Sequence, residues 1–131
     1  MSKHVKRIKK IANNPKNALV LGTAFGNLSQ YVNAFSTVFI FSNSEERIRN
    51  RHVVYRDTID SLKQITDVDV IFVDAEYFDK IHDLNTVWRK SHPVILTQGS
   101  IFTEKKIQKF LNSENYTGVE RTENYIIWKT K

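Results

Sequence analysis

The chain has 131 residues, 40% of them hydrophobic and 26% charged, which suits one globular domain able to bury a core without staples. It contains no cysteine, which excludes disulfides, thiolate catalysis and cysteine-based metal sites. The net charge of +6 is confined to one end: residues 1–16 carry Lys3, Lys6, Arg7, Lys9, Lys10 and Lys16 with no acid, and basic and acidic residues balance over the rest.

Val5, Ile8 and Ile11 or Ala12 recur at helical spacing with lysines between them, so residues 1–16 are expected to form a basic amphipathic helix or arm. Asn13-Asn14-Pro15 ends it, because the residue before a proline is pushed out of the helical region. Such an arm attracts phosphate backbones, and Lys3, Lys6, Arg7, Lys9 and Lys10 are the candidate contacts to nucleic acid. The plainer reading is a solvated face that keeps a small protein in solution. The segment is too charged to be a targeting core and no apolar run reaches membrane-spanning length, so a cytoplasmic location is expected.

Residues 17–131 read as a single domain. Ala18-Leu19-Val20-Leu21, closed by Gly22, is apolar on both faces, as a strand buried from both sides requires. Leu28, Tyr31 or Val32, and Phe35 mark a helix, and Thr37–Phe41 is a β-branched and aromatic strand. Ser44 is the expected cap of a short helix over Glu45–Asn50, followed by a strand at His52–Tyr55. Ile59, Leu62 and Ile65 stripe another short helix, and Val68–Val73 is the fourth strand. Tyr77 or Phe78, Ile81, Leu84 and Trp88 mark a longer helix. Pro93–Leu96 is the fifth strand, and Thr103 is the expected cap of a helix carrying Ile107, Phe110 and Leu111. Tyr116–Arg121 and Tyr125–Trp128 flank a short connection, the mark of an antiparallel hairpin.

Strand alternating with helix, then a hairpin, predicts an α/β domain. Its sheet is doubly wound and mostly parallel, with about seven strands, the C-terminal hairpin antiparallel and helices on both faces. Open sheets of this kind bind ligands beyond the carboxyl ends of their strands, where Gly22, Ser42, Asp57, Asp74 and Thr97 should converge.

With this element order, and with Ala18–Gly26 in place of a glycine-rich first loop, residues 18–131 resemble a class I S-adenosylmethionine-dependent methyltransferase reduced to its Rossmann-like core. The resemblance implies a loop in which Gly22, Thr23 and Gly26 approach the cofactor, with Ala24 where a central glycine is usual. Val20 stands where the family carries an acid near the ligand's amino group. At the end of the second strand, Ser42 or Asn43 replaces the acid that holds the ribose, with Glu45 and Glu46 close by. Arg56-Asp57-Thr58 matches the acidic turn whose carboxylate accepts the adenine amino group; as a structural alternative, Asp57 caps the next helix. Asp74 lies on the substrate side, where a carboxylate orients a nucleophile or takes its proton, its structural alternative again being a cap.

Two functions follow from the resemblance. One is a small methyltransferase with a weak S-adenosylmethionine site, acting on or beside a large acidic partner such as nucleic acid. The other is a non-catalytic binding or assembly module that kept the scaffold and lost the cofactor, in line with the degenerate motifs. Val68–Asp74 and Pro93–Thr97 also resemble the phosphoacceptor and threonine strands of a receiver domain, although the first strand lacks the acidic pair a receiver needs. His4, His52, His82 and His92 show no metal-ligand spacing, and Asp79 and Asp83 read as a solvated helix face.

Overall fold

A computed structural model of the chain describes residues 3–22, 28–42, 49–65, 67–74, 77, 92–98 and 101–131. Seven strands form one sheet: β1 (Asn17–Leu21), β2 (Thr37–Phe41), β3 (Val53–Tyr55), β4 (Val70–Asp74), β5 (Val94–Gln98), β6 (Tyr116–Arg121) and β7 (Ile126–Thr130). The helices are α1 (Lys3–Ile11), α2 (Ser29–Val32), α3 (Ile59–Leu62) and α4 (Ile101–Ser113). The expected helix after Ser44 and the one carrying Ile81, Leu84 and Trp88 lie outside the described residues, as do His82, Asp79 and Asp83.

The strand order is β3-β2-β1-β4-β5-β7-β6. β1 to β5 are parallel, with Leu21 opposite both Phe41 and Val73, and β7 is antiparallel to both β5 and β6. This order excludes the receiver reading, because that fold has no hairpin inserted beside its fifth strand. β6 is the outer strand, and a bulge between Gly118 and Glu120 leaves Val119 exposed.

Side chains alternate across the sheet and build two cores. On one face Leu19, Leu21, Ile71, Val73 and Ile95 meet Leu62 of α3, with Ile107 and Leu111 of α4. On the other, Val20, Phe72, Leu96 and Ile127 meet Val5 and Ile8 of α1 and Tyr31 of α2. The basic arm is therefore a docked helix, with Val5 and Ile8 at 0% exposure. Asn13 and Asn14 end it with φ of 59° and 57°, a left-handed conformation that asparagine tolerates better than most residues.

Several boundaries differ from expectation; β5, for one, ends at Gln98 and not at Leu96. β4 begins at Val70, two residues later than the apolar run suggests, because Asp69 has another task. Its Oδ2 accepts the backbone N–H groups of Lys16 at 2.8 Å and Asn17 at 2.9 Å, tying the amino ends of β4 and β1 together. α4 begins at Ile101, so Thr103 lies inside the first turn and not at the cap. β7 runs two residues further than the apolar pattern, to Thr130, because Lys129 and Thr130 pair with Thr117 and Tyr116 of β6.

Candidate functional site

Parallel pairing in register carries the ends of β1 to β5 to one rim. Gly22 follows β1 and donates its N–H to the Phe41 carbonyl at 2.8 Å, so Ser42 lies beside it at the end of β2. Arg56 donates its N–H to the Ile40 carbonyl at 2.9 Å, which sets Asp57 at the end of β3. Gly22 and Asp57 are thus two strand spacings apart, roughly 10 Å. Thr23 and Gly26 lie outside the described residues, as do Ala24, Asn43, Glu45 and Glu46.

Gly22 is required on two grounds. Its φ is +92°, and a Cβ there would stand 2.8 Å from Asp74 Oδ2 and 2.8 Å from a ring carbon of Tyr77. Asp74 and Tyr77 thus close directly over the end of β1. Tyr77 is nearly buried and meets Phe41 edge-on, with ring centres 5.9 Å apart. On the opposite side of the sheet, Tyr31 is raised far above the usual phenol range, first by burial and then by the negative charge of Asp74. Tyr31 hydroxyl and His4 Nε2 are 3.5 Å apart, which links the docked helix to α2.

Asp57 and its neighbours resolve an open question. The N–H of Ser61 bonds to Thr58 Oγ1 at 3.1 Å, and Ser61 Oγ donates to the Thr58 carbonyl at 2.7 Å. Thr58 therefore caps α3. Asp57 is exposed and lines an open cleft of about 280 Å³ with Tyr55, Arg56, Thr58 and Ser61. Arg56 Nε is itself buried and has no hydrogen-bond partner among the described residues. An exposed carboxylate next to a half-buried tyrosine in an open cleft suits the edge of a heterocyclic base. On these grounds the residues present fit the adenosyl end of S-adenosylmethionine. For Asp74 the capping alternative concerns residues outside those described.

Two expected positions behave differently. Thr97 is 3% exposed, and its hydroxyl accepts the indole N–H of Trp128 at 3.0 Å, so it is engaged in holding the hairpin. Val20 is fully buried in the apolar cluster with Phe72 and Tyr31, so β1 offers no charge to the rim. The arm cations are divided in the same way. Arg7 pairs with Glu120 of β6, and Lys9 lies 5.8 Å over the Phe35 ring. Lys3, Lys6 and Lys10 face solvent.

Arg56, Tyr31 and His4 carry no signal of a site role in the sequence, whereas Tyr77 is a candidate base-stacking ring whose plainer reading is core packing. Arg56 was visible only as a neighbour of Asp57, and His4 lay on the apolar face of a helix otherwise read for its lysines. Among the described residues no cluster of three or more His, Cys, Asp or Glu could hold a metal ion, and no helix is long and apolar enough to cross a membrane.

No family model and no curated protein matches the sequence. The fold is similar to several solved structures. A methyltransferase from Geobacter sulfurreducens is 14% identical with a TM-score of 0.66, covering 98% of this chain and 77% of its own. The N-methyltransferase NodS from Bradyrhizobium japonicum is 11% identical with a TM-score of 0.65, covering 97% and 92%. The magnesium protoporphyrin IX methyltransferase from Synechocystis, solved with S-adenosylmethionine bound, is 13% identical with a TM-score of 0.62, covering 98% and 80%. At these identities the likeness concerns architecture: this chain has the Rossmann-like fold of the class I S-adenosylmethionine-dependent methyltransferases.

Proposed function

We propose that the chain binds S-adenosylmethionine across the rim from Gly22 to Asp57 and acts as a small methyltransferase on or beside a large acidic partner such as nucleic acid. The observation that carries this reading is Asp57, which lines the cleft after β3 while Thr58 performs the capping. When bound, the cofactor supplies a methyl group activated on a sulfonium sulfur. Gly22 lets the backbone come close, Ser42 offers a neutral hydroxyl to the ribose, and Asp57 accepts from the base. Asp74, leaning over Gly22, is placed to orient an incoming nucleophile or take its proton. The outer face of α1 would hold the acidic partner through Lys3, Lys6 and Lys10.

The second reading is a binding or assembly module that has lost the cofactor, favoured by the fully buried Val20 where the resemblance implies an acid. Thermal unfolding with S-adenosylmethionine or S-adenosylhomocysteine separates the two. Ligand at about 100 times its dissociation constant stabilises a domain by about 2.7 kcal/mol, a shift of several degrees. No shift at millimolar ligand would leave the second reading standing. The partner is tested with the triple substitution Lys3→Glu, Lys6→Glu and Lys10→Glu. Deleting the helix would strip Val5 and Ile8 from the core and confuse the result. Affinity for single- or double-stranded nucleic acid should fall, and its salt dependence flatten, if α1 is the contact.

A further inference from the structure

A cleft of about 420 Å³ lies at the foot of α1, lined by Lys9, Asn33, Phe35, Ser36 and His52 among others. Ser36 and His52 precede β2 and β3, so the cleft sits at the amino edge of the sheet, opposite the rim. Lys9 is half-buried there with its ammonium 5.8 Å over the Phe35 ring, which holds a cation in the cleft wall. Arg51 Nε donates to His52 Nε2 at 3.2 Å, so the exposed Arg51 guanidinium is held beside the same cleft. Among the described residues neither Lys9 nor Arg51 has an ion-pair partner. No carboxylate of the described residues lines this cleft, whereas the clefts lined by Tyr55, Thr97 and Val119 contain Asp57, Glu123 and Glu120.

α1 leads from this cleft towards the rim. The chain leaving the helix is tied at Lys16 to Asp69 before β4, while His4 at the other end lies 6.4 Å from Tyr125, beside the carboxyl end of β5. Lys3, Lys6 and Lys10 are spaced by three and four and make one solvent-facing stripe. Stripe and cleft form a track of cations at least as long as the helix, roughly 13 Å. A repeating anion suits such a track. A lipid surface does not, because a helix bound at a membrane buries its apolar face in lipid, and Val5 and Ile8 are committed to the core. We propose that the cleft at the amino edge seats a backbone phosphate of nucleic acid, with Lys9 and Arg51 as its cations, and that the strand runs from there along Lys10, Lys6 and Lys3 towards the rim. This rests on the reading of α1 as the contact to nucleic acid and adds an anchoring site to it.

The test is fluorescence anisotropy of the full chain with a labelled RNA of about 20 nucleotides, single-stranded and as a duplex, across a range of salt. Lys9→Gln with Arg51→Gln removes the cleft cations. Lys105→Gln with Lys109→Gln removes the same charge from exposed positions of α4, on the opposite face of the sheet. Each phosphate contact adds about 0.7 (single strand) to 0.9 (duplex) to the slope of log affinity against log salt, or about fivefold to eightfold in affinity near ~0.1 M salt. The cleft pair should therefore weaken binding about twentyfold or more and flatten the slope by about 1.4 or more, and the α4 pair should stay within about twofold of wild type. Equal losses from the two pairs, or none from the cleft pair, would overturn the seat, and the triple substitution at Lys3, Lys6 and Lys10 then still decides the reading of α1. If the cleft pair weakens binding and the triple substitution does not, the track along α1 falls with that reading and the seat alone stands. If the wild type binds no nucleic acid, both fall. Vesicles containing phosphatidylserine, and polyglutamate, are the competing polyanions: either one binding as tightly as RNA, with the same loss in the cleft pair, overturns the choice of nucleic acid. Thermal melts control for folding, and should Lys9→Gln unfold the chain, Arg51→Gln at its exposed position carries the test alone with a loss of about fivefold.

Discussion

His4 gives the docked helix a measurable signature. Its ring lies among aromatics, with centres 6.1 Å from Tyr31, 6.0 Å from Phe72 and 6.4 Å from Tyr125. Burial lowers its pKa from 6.5 to about 4. Between those values the unfolded chain binds the imidazole proton and the folded chain does not, so stability rises with pH through this window and is lost as pH falls. Each pH unit inside the window changes stability by about 1.4 kcal/mol, giving roughly 2 to 3 kcal/mol between pH 7 and pH 4.5 from this one group. His4→Phe keeps an aromatic ring in the niche and removes the titration. The assay is urea unfolding of both proteins across that range, because carboxylates titrate in both and cancel in the difference. The wild type should lose roughly 2 to 3 kcal/mol relative to His4→Phe, on the order of 10 °C in melting temperature. A difference that stays flat from pH 7 to pH 4.5 would mean that His4 is solvated and that α1 does not pack as described.

Other expectations follow from single contacts. Gly22→Ala should destabilise by about 1 to 3 kcal/mol in denaturant melts, since it combines a positive φ with a clash against Asp74 and Tyr77. Thr58→Ala should lose about 1 kcal/mol through the cap of α3, whereas Asp57→Ala should lose less and should abolish binding of S-adenosylhomocysteine in titration. The reverse pattern would return the cap to Asp57. Tyr116→Phe should cost about 1 to 2 kcal/mol, because the Pro93 carbonyl loses a buried hydrogen bond of 2.8 Å.

Legibility in the sequence followed the physics of each element. β2 and β6 appear with the boundaries that their residues suggest, because β-branched and aromatic runs bounded by polar turns leave little choice. β4 was misplaced by two residues because Val68 and Asp69 look like the rest of an apolar strand, and only the structure reveals that Asp69 accepts from the neighbouring chain segment. Asp57 and Thr58 are both good caps side by side, so no local rule could choose between them; the geometry of Ser61 does. The placement of β7 between β5 and β6 is a long-range fact that hydrophobic period does not encode. An arginine in a turn is expected to be solvated, so nothing local in the sequence marks Arg56 as a residue whose Nε is buried without a partner among the described residues.

The pairing of Arg7 with Glu120 joins residues 113 positions apart, and His4 rests against Tyr125 over a similar separation. α1 precedes the whole sheet in the chain, so it finds part of its seat only after the hairpin has emerged. Until then Val5 and Ile8 have only an incomplete apolar surface to cover, and β5 presents an unpaired edge to solvent. Contacts of such length slow folding, because the chain must close a large loop before any of them is rewarded. A nascent chain halted before residue 116 would be a sticky, open-edged intermediate, and closing α1 against the hairpin is the event that turns it into a sealed domain.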